Sequence, residues 1–257
     1  MAAKLLLALA LSLFLLNPAR SEDPSLAPYN QLVLDAVKTM PAGGGYSASA
    51  KATAALQRAF TSADSTLRIN STQATPSYCS GATYLVFLKT LSVLQQHGLA
   101  LSPTTIASLK PSGQLDGTGI WGRWNANGPG TACLFYEMGL GHNFTKLEEA
   151  KAGDFLKIFW NDGIGASEHG HSVIYIDKGV KDGVPTLTYW SSNIPGGFGT
   201  KTVPQSRIHR YLFSRLENPE AISGPLAPKN SYLSSLERNN STPSEAARKC
   251  GLPEKSF

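Results

Sequence analysis

Cys79, His171 and Asn193 are the residues whose types and order point to chemistry. A thiol attacks a carbonyl only as the thiolate, so it needs a lowered pKa, a base within reach and a donor for the oxyanion. Cys79 follows Pro76-Ser77-Tyr78 and precedes Ser80-Gly81 and a long apolar stretch, which places it at the first turn of a helix. There, unpaired N–H groups and the helix dipole favour the anion. A buried structural cysteine is the competing reading of the same position. His171 stands immediately before Ser-Val-Ile-Tyr-Ile, at the entrance of a strand, where it can serve as base. His169 lies two residues earlier on the same side of an extended chain, so either could be the base, but His171 abuts the regular strand and a surface histidine fits His169 better. Tyr189-Trp190-Ser191-Ser192-Asn193 ends the next strand, and a hairpin returns that end beside His171. Asn193, or alternatively Ser191, would fix the imidazole.

The elements that must position these residues follow from the apolar pattern. Tyr29 to Met40 and Ala48 to Phe60 read as helices, the first ended by Pro41 and Gly43-Gly44-Gly45. Thr61 to Pro76 reads as a polar loop with one short strand. Cys79 to His97 is apolar over much of its circumference, as a buried central helix is. Residues 111 to 130 read as a long glycine-rich loop, and Thr131 to Gly139 as a short helix. Strands are expected at Asp154 to Trp160, Ser172 to Asp177, Thr186 to Trp190 and Ile208 to Phe213, with a turn at Lys181-Asp182-Gly183. Helices followed by antiparallel strands define an α+β chain.

Three motifs in order, Cys79-Ser-Gly at a helix start, Gly153-Asp154-Phe155-Leu156 opening a strand, and His171-Ser-Val-Ile-Tyr-Ile, resemble the NlpC-type cysteine peptidases. These are papain-like cell-wall hydrolases related to the CHAP amidases. The resemblance covers roughly residues 75 to 215. It implies a papain-like NlpC-type core, with N-terminal helices packed on an antiparallel sheet, and cleavage of an amide or peptide bond in peptidoglycan. It also implies that Tyr78 lines the oxyanion site. An Asp usually precedes the family's cysteine, and Tyr78 stands there instead. The spacing from His171 to Asn193 is long because a hairpin intervenes.

Outside the core, residues 1–21 carry Lys4, an apolar run from Leu5 to Leu16 and Ala19-Arg20-Ser21, the order of a secretory signal. The run is shorter than the roughly 20 apolar residues of a membrane span. An exported protein, periplasmic or extracellular, with no stable membrane span after signal cleavage is the expectation. Residues 22–74 form an N-terminal helical extension, 75–215 the catalytic domain, and 216–257 a loosely packed Pro/Ser/Asn-rich tail with one helical stretch near Ser231 to Arg238. With 42% hydrophobic and 16% charged residues the composition is globular, not disordered. The formal charge of +5, two lower without Lys4 and Arg20, comes with no dense basic block, so nucleic acid is not an expected partner.

The three cysteines leave one thiol over, and a Cys133–Cys250 bridge with Cys79 free is the favoured pairing. No Cys-x-x-Cys or His-Glu-x-x-His occurs, so no metal site is assigned and no cofactor is expected. Tyr78, Trp121, Trp124 and Trp190 are assigned to substrate binding. For the two tryptophans of the Trp121-to-Gly128 segment, the rival reading is that they fold back onto the core. Glu168 reads as a solvated surface acid. The alternatives to a hydrolase are a non-catalytic wall- or glycan-binding module on the same fold, and an acyltransferase using the same Cys and His.

Overall fold

A computed structural model describes residues 27–257. The signal-like segment lies outside the described residues. The chain runs α1 (Asn30–Lys38), β1 (Gly43–Gly44), α2 (Ala50–Ala59), then a hairpin of β2 (Phe60–Ala63) and β3 (Thr66–Ile69). α3 (Cys79–Gln96), α4 (Pro103–Leu109), α5 (Gly119–Asn125) and α6 (Gly130–Met138) follow. Next come β4 (Gly141–Phe144), β5 (Phe155–Phe159), β6 (Gly170–Lys181), β7 (Val184–Asn193), β8 (Gly197–Pro204) and β9 (Arg210–Leu216). α7 (Ser231–Ser235) and α8 (Pro243–Lys249) close the chain. The large sheet has the order β1-β8-β7-β6-β5-β9-β4, with every neighbouring pair antiparallel. The fold is α+β, with a large antiparallel sheet and several helices.

α3 lies against β6 and β7 and is buried along most of its length, from Ser80 to Ser92. An all-round apolar helix has no solvent face to offer, and this one is enclosed by the sheet on one side and by α1, α2 and α5 on others. Tyr84, Phe87, Phe135, Phe155, Trp121 and Trp124 join in one aromatic core. Tyr84 reconciles its hydroxyl with burial by donating to the Leu109 carbonyl at 2.6 Å.

The Gly153-Asp154 pair opens β5 for a structural reason. Asp154 is fully buried and receives a bidentate hydrogen bond from Arg215, Nε to Oδ1 at 2.9 Å and Nη2 to Oδ2 at 2.7 Å. Asn30 of α1 donates to the same carboxylate at 2.8 Å. A buried charge is tolerated only when paired and hydrogen-bonded, as here. Gly153 has φ +95°, and a Cβ there would meet the Asn30 carbonyl oxygen at 2.6 Å. One short motif thus joins the first helix to the sheet.

Three expectations change. The Thr61 to Pro76 stretch contains a β-hairpin instead of one strand, and β8 and β4 join the sheet unannounced. The segment expected to be a glycine-rich loop folds into α5 over Gly119–Asn125. Residues beyond 216 are not loosely packed: Tyr232, Leu233, Leu236, Ala246 and Cys250 are buried with Phe159, Leu212 and Cys133 in a second core cluster. Asn143 of β4 fastens this segment, donating from Nδ2 to the carbonyls of Ala132 at 2.8 Å and Cys250 at 2.9 Å. Short helices in polar sequence leave a weak periodic signal, and only tertiary burial holds them.

Candidate active site

Cys79 is the first residue of α3, and Tyr78 before it is extended, with no side chain capping the helix. The N–H groups of the first turn are therefore not taken by a cap at the end where the sulfur sits. Cys79 keeps part of its surface open to a cleft. The protein packed around the sulfur raises the thiol pKa, but four effects oppose it: hydrogen bonding to the His171 ring, the charge of that ring, the Ser172 backbone and Lys157. They win, and the thiol is brought down from 9.0 to about 7.

His171 lies on β6, opposite Ile158 of β5, with its ring edge-on to Tyr189 at 5.4 Å and tilted against Trp160 at 6.5 Å. Its Nε2 is 3.2 Å from Asn193 Oδ1. The Asn193 amide is oriented by its own donors, since Nδ2 bonds the carbonyls of Ser191 at 3.1 Å and Gly199 at 2.8 Å. Only the oxygen is left for the ring, so Nε2 carries the hydrogen and the Nδ1 lone pair is the basic site. Ser191, the sequence alternative, donates instead to the Ser172 carbonyl at 2.7 Å and holds the two strands together.

Tyr46 is the residue that sequence reasoning missed. Its hydroxyl engages Cys79, and burial, with the nearby thiolate, pushes its pKa up to about 12, so it keeps its proton at neutral pH. It arrives there on a strap. Gly43 and Gly44 pair with Phe198 and Gly197 of β8, and the next residues run beside the approach to α3. Ser47 N–H donates to the Ser77 carbonyl at 2.9 Å, and Ser77 N–H to the Gly45 carbonyl at 3.2 Å. Gly44, at φ +83°, has Thr75 so close that a Cβ would lie 2.3 Å from its Cγ2. The triple glycine, legible only as a helix stop, is a close-approach segment delivering a tyrosine.

Tyr78 borders the same cleft as Cys79, but its hydroxyl shares a hydrogen bond with Thr53 at 3.1 Å and its ring stands edge-on to Trp121. Trp121, Trp124 and Trp190 do not line a groove. They are 2%, 1% and 5% exposed, Trp124 donates to Thr83 at 3.2 Å, and Trp190 stacks on Phe198 with ring centroids 5.6 Å apart. Their burial area serves the core, and no face is left for a substrate. Arg123, between the two α5 tryptophans, is equally buried and bonded to Glu137 and the carbonyls of Gly119 and Ala227.

Glu168 is likewise no solvated acid. Its side chain is 6% exposed, Lys157 Nζ lies 2.6 Å from Oε1, and the Gly128 and Gly165 N–H groups donate to Oε2. His169 is exposed and meets neither Cys79 nor Asn193 among the described contacts.

Two clefts meet here. Cys79 lines one of about 420 Å³, with Tyr78, Ser80, Asn125 and Lys157; His171 lines the other, of about 630 Å³, with Tyr46, Trp160, Tyr189 and Asn193. Glu168 and Gly170 border both.

No group of three or more His, Cys, Asp or Glu residues that could hold a metal ion occurs among the described residues. No described helix is long and apolar enough to cross a membrane. Comparison with protein-family models, curated proteins and solved structures finds no match to this chain.

Proposed function

We propose that the chain is an exported thiol hydrolase of papain-like, NlpC-type design that cleaves amide or peptide bonds, with peptidoglycan as its substrate. The observation that carries this reading is the ordered line of Cys79, His171 and Asn193. A thiol held near pH 7 at a helix N-terminus faces an imidazole whose tautomer is set by an oriented amide. A buried structural cysteine has no use for such a partnership, and a binding module has no use for a lowered thiol pKa. The helix carrying Cys79, packed on the antiparallel strands carrying the other two, supports the papain-like comparison. The choice of wall peptide as substrate rests on the motif resemblance, and export on residues 1–21.

In the proposed reaction His171 takes the Cys79 thiol proton at Nδ1, and the thiolate attacks the carbonyl carbon. Charge develops on the carbonyl oxygen, with the Tyr46 hydroxyl beside Cys79 and the Cys79 backbone N–H as its candidate donors. The tetrahedral adduct collapses as His171 hands to the leaving amine the proton that its Nδ1 took from the Cys79 thiol. His171 then takes a proton from water, which attacks the thioester and frees the acid. Asn193 keeps the ring in the same orientation through both halves.

Digestion of purified peptidoglycan tests the reading. New amino termini within the crosslinks identify an endopeptidase; stem peptides released from the glycan identify an amidase. Undiminished release by Cys79→Ala removes Cys79 from the mechanism, and no release by the wild type removes this substrate.

A further inference from the structure

The leaving amine must take its proton from His171, so it departs over the cleft that His171 lines, while the acyl part stays with Cys79 in the other. The charges on the departure side are unbalanced. Arg207 and Lys201 both border that cleft. The Arg207 guanidinium lies 5.7 Å from the centre of the Trp160 ring and meets no carboxylate among the described residues. Lys201 Nζ donates to the Ile194 carbonyl at 2.8 Å, a neutral partner, and meets no carboxylate among the described residues. The carboxylate lining the cleft, Glu168, is consumed by Lys157 and two backbone N–H groups. Arg210 nearby shows the contrast, since it pairs with Asp162 at 3.2 Å.

We propose that this cleft recognises a free carboxylate on the leaving amine, with Arg207 and Lys201 as specificity-determining residues. The substrate class is then an acyl-peptide amide whose departing portion is a short peptide bearing its own carboxylate. Trp160 and Tyr189 line the same cleft and supply its apolar walls. A guanidinium held over an aromatic ring, with no carboxylate partner among the described residues, keeps N–H donors for a two-point hydrogen bond to a carboxylate. The inference rests on the thiol acyl-transfer reading above.

Microscopic reversibility gives the test, because the cleft a leaving amine vacates is the cleft an incoming amine enters. p-Nitrophenyl acetate acetylates Cys79 and releases nitrophenolate. An added amine then attacks the thioester carbon, the C–S bond breaks, His171 takes the proton from the amine, and N-acetyl peptide leaves. Glycylglycine and glycylglycinamide are compared as acceptors. The wild type is expected to favour the carboxylate-bearing acceptor by roughly tenfold at low ionic strength, with the preference shrinking as salt is added. In an Arg207→Gln, Lys201→Gln double variant the ratio should fall towards one. Equal partition by the wild type overturns the inference, as does a preference that survives in the double variant; the wild-type ratio is decisive even if that variant folds poorly. A different result marks failure of the underlying reading: nitrophenolate release that is the same in Cys79→Ala overturns the thiol mechanism, and this inference with it.

Discussion

His171 and Asn193 meet through a single contact, Nε2 to Oδ1 at 3.2 Å, whose polarity is dictated by two backbone carbonyls on the far side of the amide. The ring is thus presented with a fixed tautomer before any substrate arrives. Asn193→Ala should lower kcat by about 10²-fold, at the lower end of what positioned acid–base groups contribute. Ser191→Ala removes only a strand-to-strand hydrogen bond. It should cost about 1 kcal/mol in denaturant unfolding and far less in rate. A larger loss of kcat from Ser191→Ala than from Asn193→Ala would reverse the assignment.

The state of Cys79 can be read without a substrate. The thiolate is the reactive form, so iodoacetamide alkylation of Cys79 should rise with pH and level off above an inflection near 7. In His171→Ala both the hydrogen bond and the ring charge are lost, and the inflection should move up. An unmoved inflection would show that His171 has no part in lowering it.

Tyr46→Phe keeps the ring and removes the hydroxyl. Loss of one oxyanion donor costs about 10² to 10³ in kcat. The expected signature is a fall of that size in kcat with KM little altered, measured in steady state on the same wall substrate. A change confined to KM would assign Tyr46 to substrate binding instead.

Glu168→Gln leaves Lys157 without its ion partner at a site where the two side chains are 15% and 6% exposed. Breaking one side of a buried pair costs about 3–5 kcal/mol, so a marked drop in the urea midpoint is expected. Replacing both residues by apolar ones of similar size should recover part of it.

Cys133 and Cys250 lie with their sulfurs 3.8 Å apart, both buried, although 117 positions separate them in the chain. Under oxidising conditions they should form the protein's one intramolecular bridge, leaving Cys79 titratable. Closing a loop of that size restricts the unfolded chain by up to about 4.7 kcal/mol. Peptide mapping without reduction checks the pairing, and a bridge involving Cys79 would contradict it.

How much could be read beforehand varied with how local the signal was. α3 declares itself because a long unbroken apolar run admits few other readings, and β5, β6 and β7 because alternation and an Asp182-Gly183 turn agree. Tyr46 was invisible, since its function depends on two glycines pairing with a strand more than 150 positions away. Trp121 and Trp124 show the opposite failure. Large aromatics among glycines and amides resemble a sugar-stacking loop, yet helical spacing turns both inward when the segment coils. Nothing in the sequence of β8 announces a strand beyond alternating Thr and Lys, because an edge strand buries little.

That edge has a bearing on how the protein behaves in concentrated solution. Among the described residues β1 pairs with β8 at Gly197 and Phe198 alone, which leaves the outer backbone row from Thr200 to Pro204 with no described strand beside it. Such a row invites strands of other molecules unless charge or proline spoils the fit. Lys201 and Pro204 stand on it, one too hydrophilic to be sandwiched and the other lacking a hydrogen to donate. Neutralising Lys201 therefore touches colloidal behaviour as well as recognition, and a Lys201→Gln preparation calls for light scattering before any kinetic result is read from it.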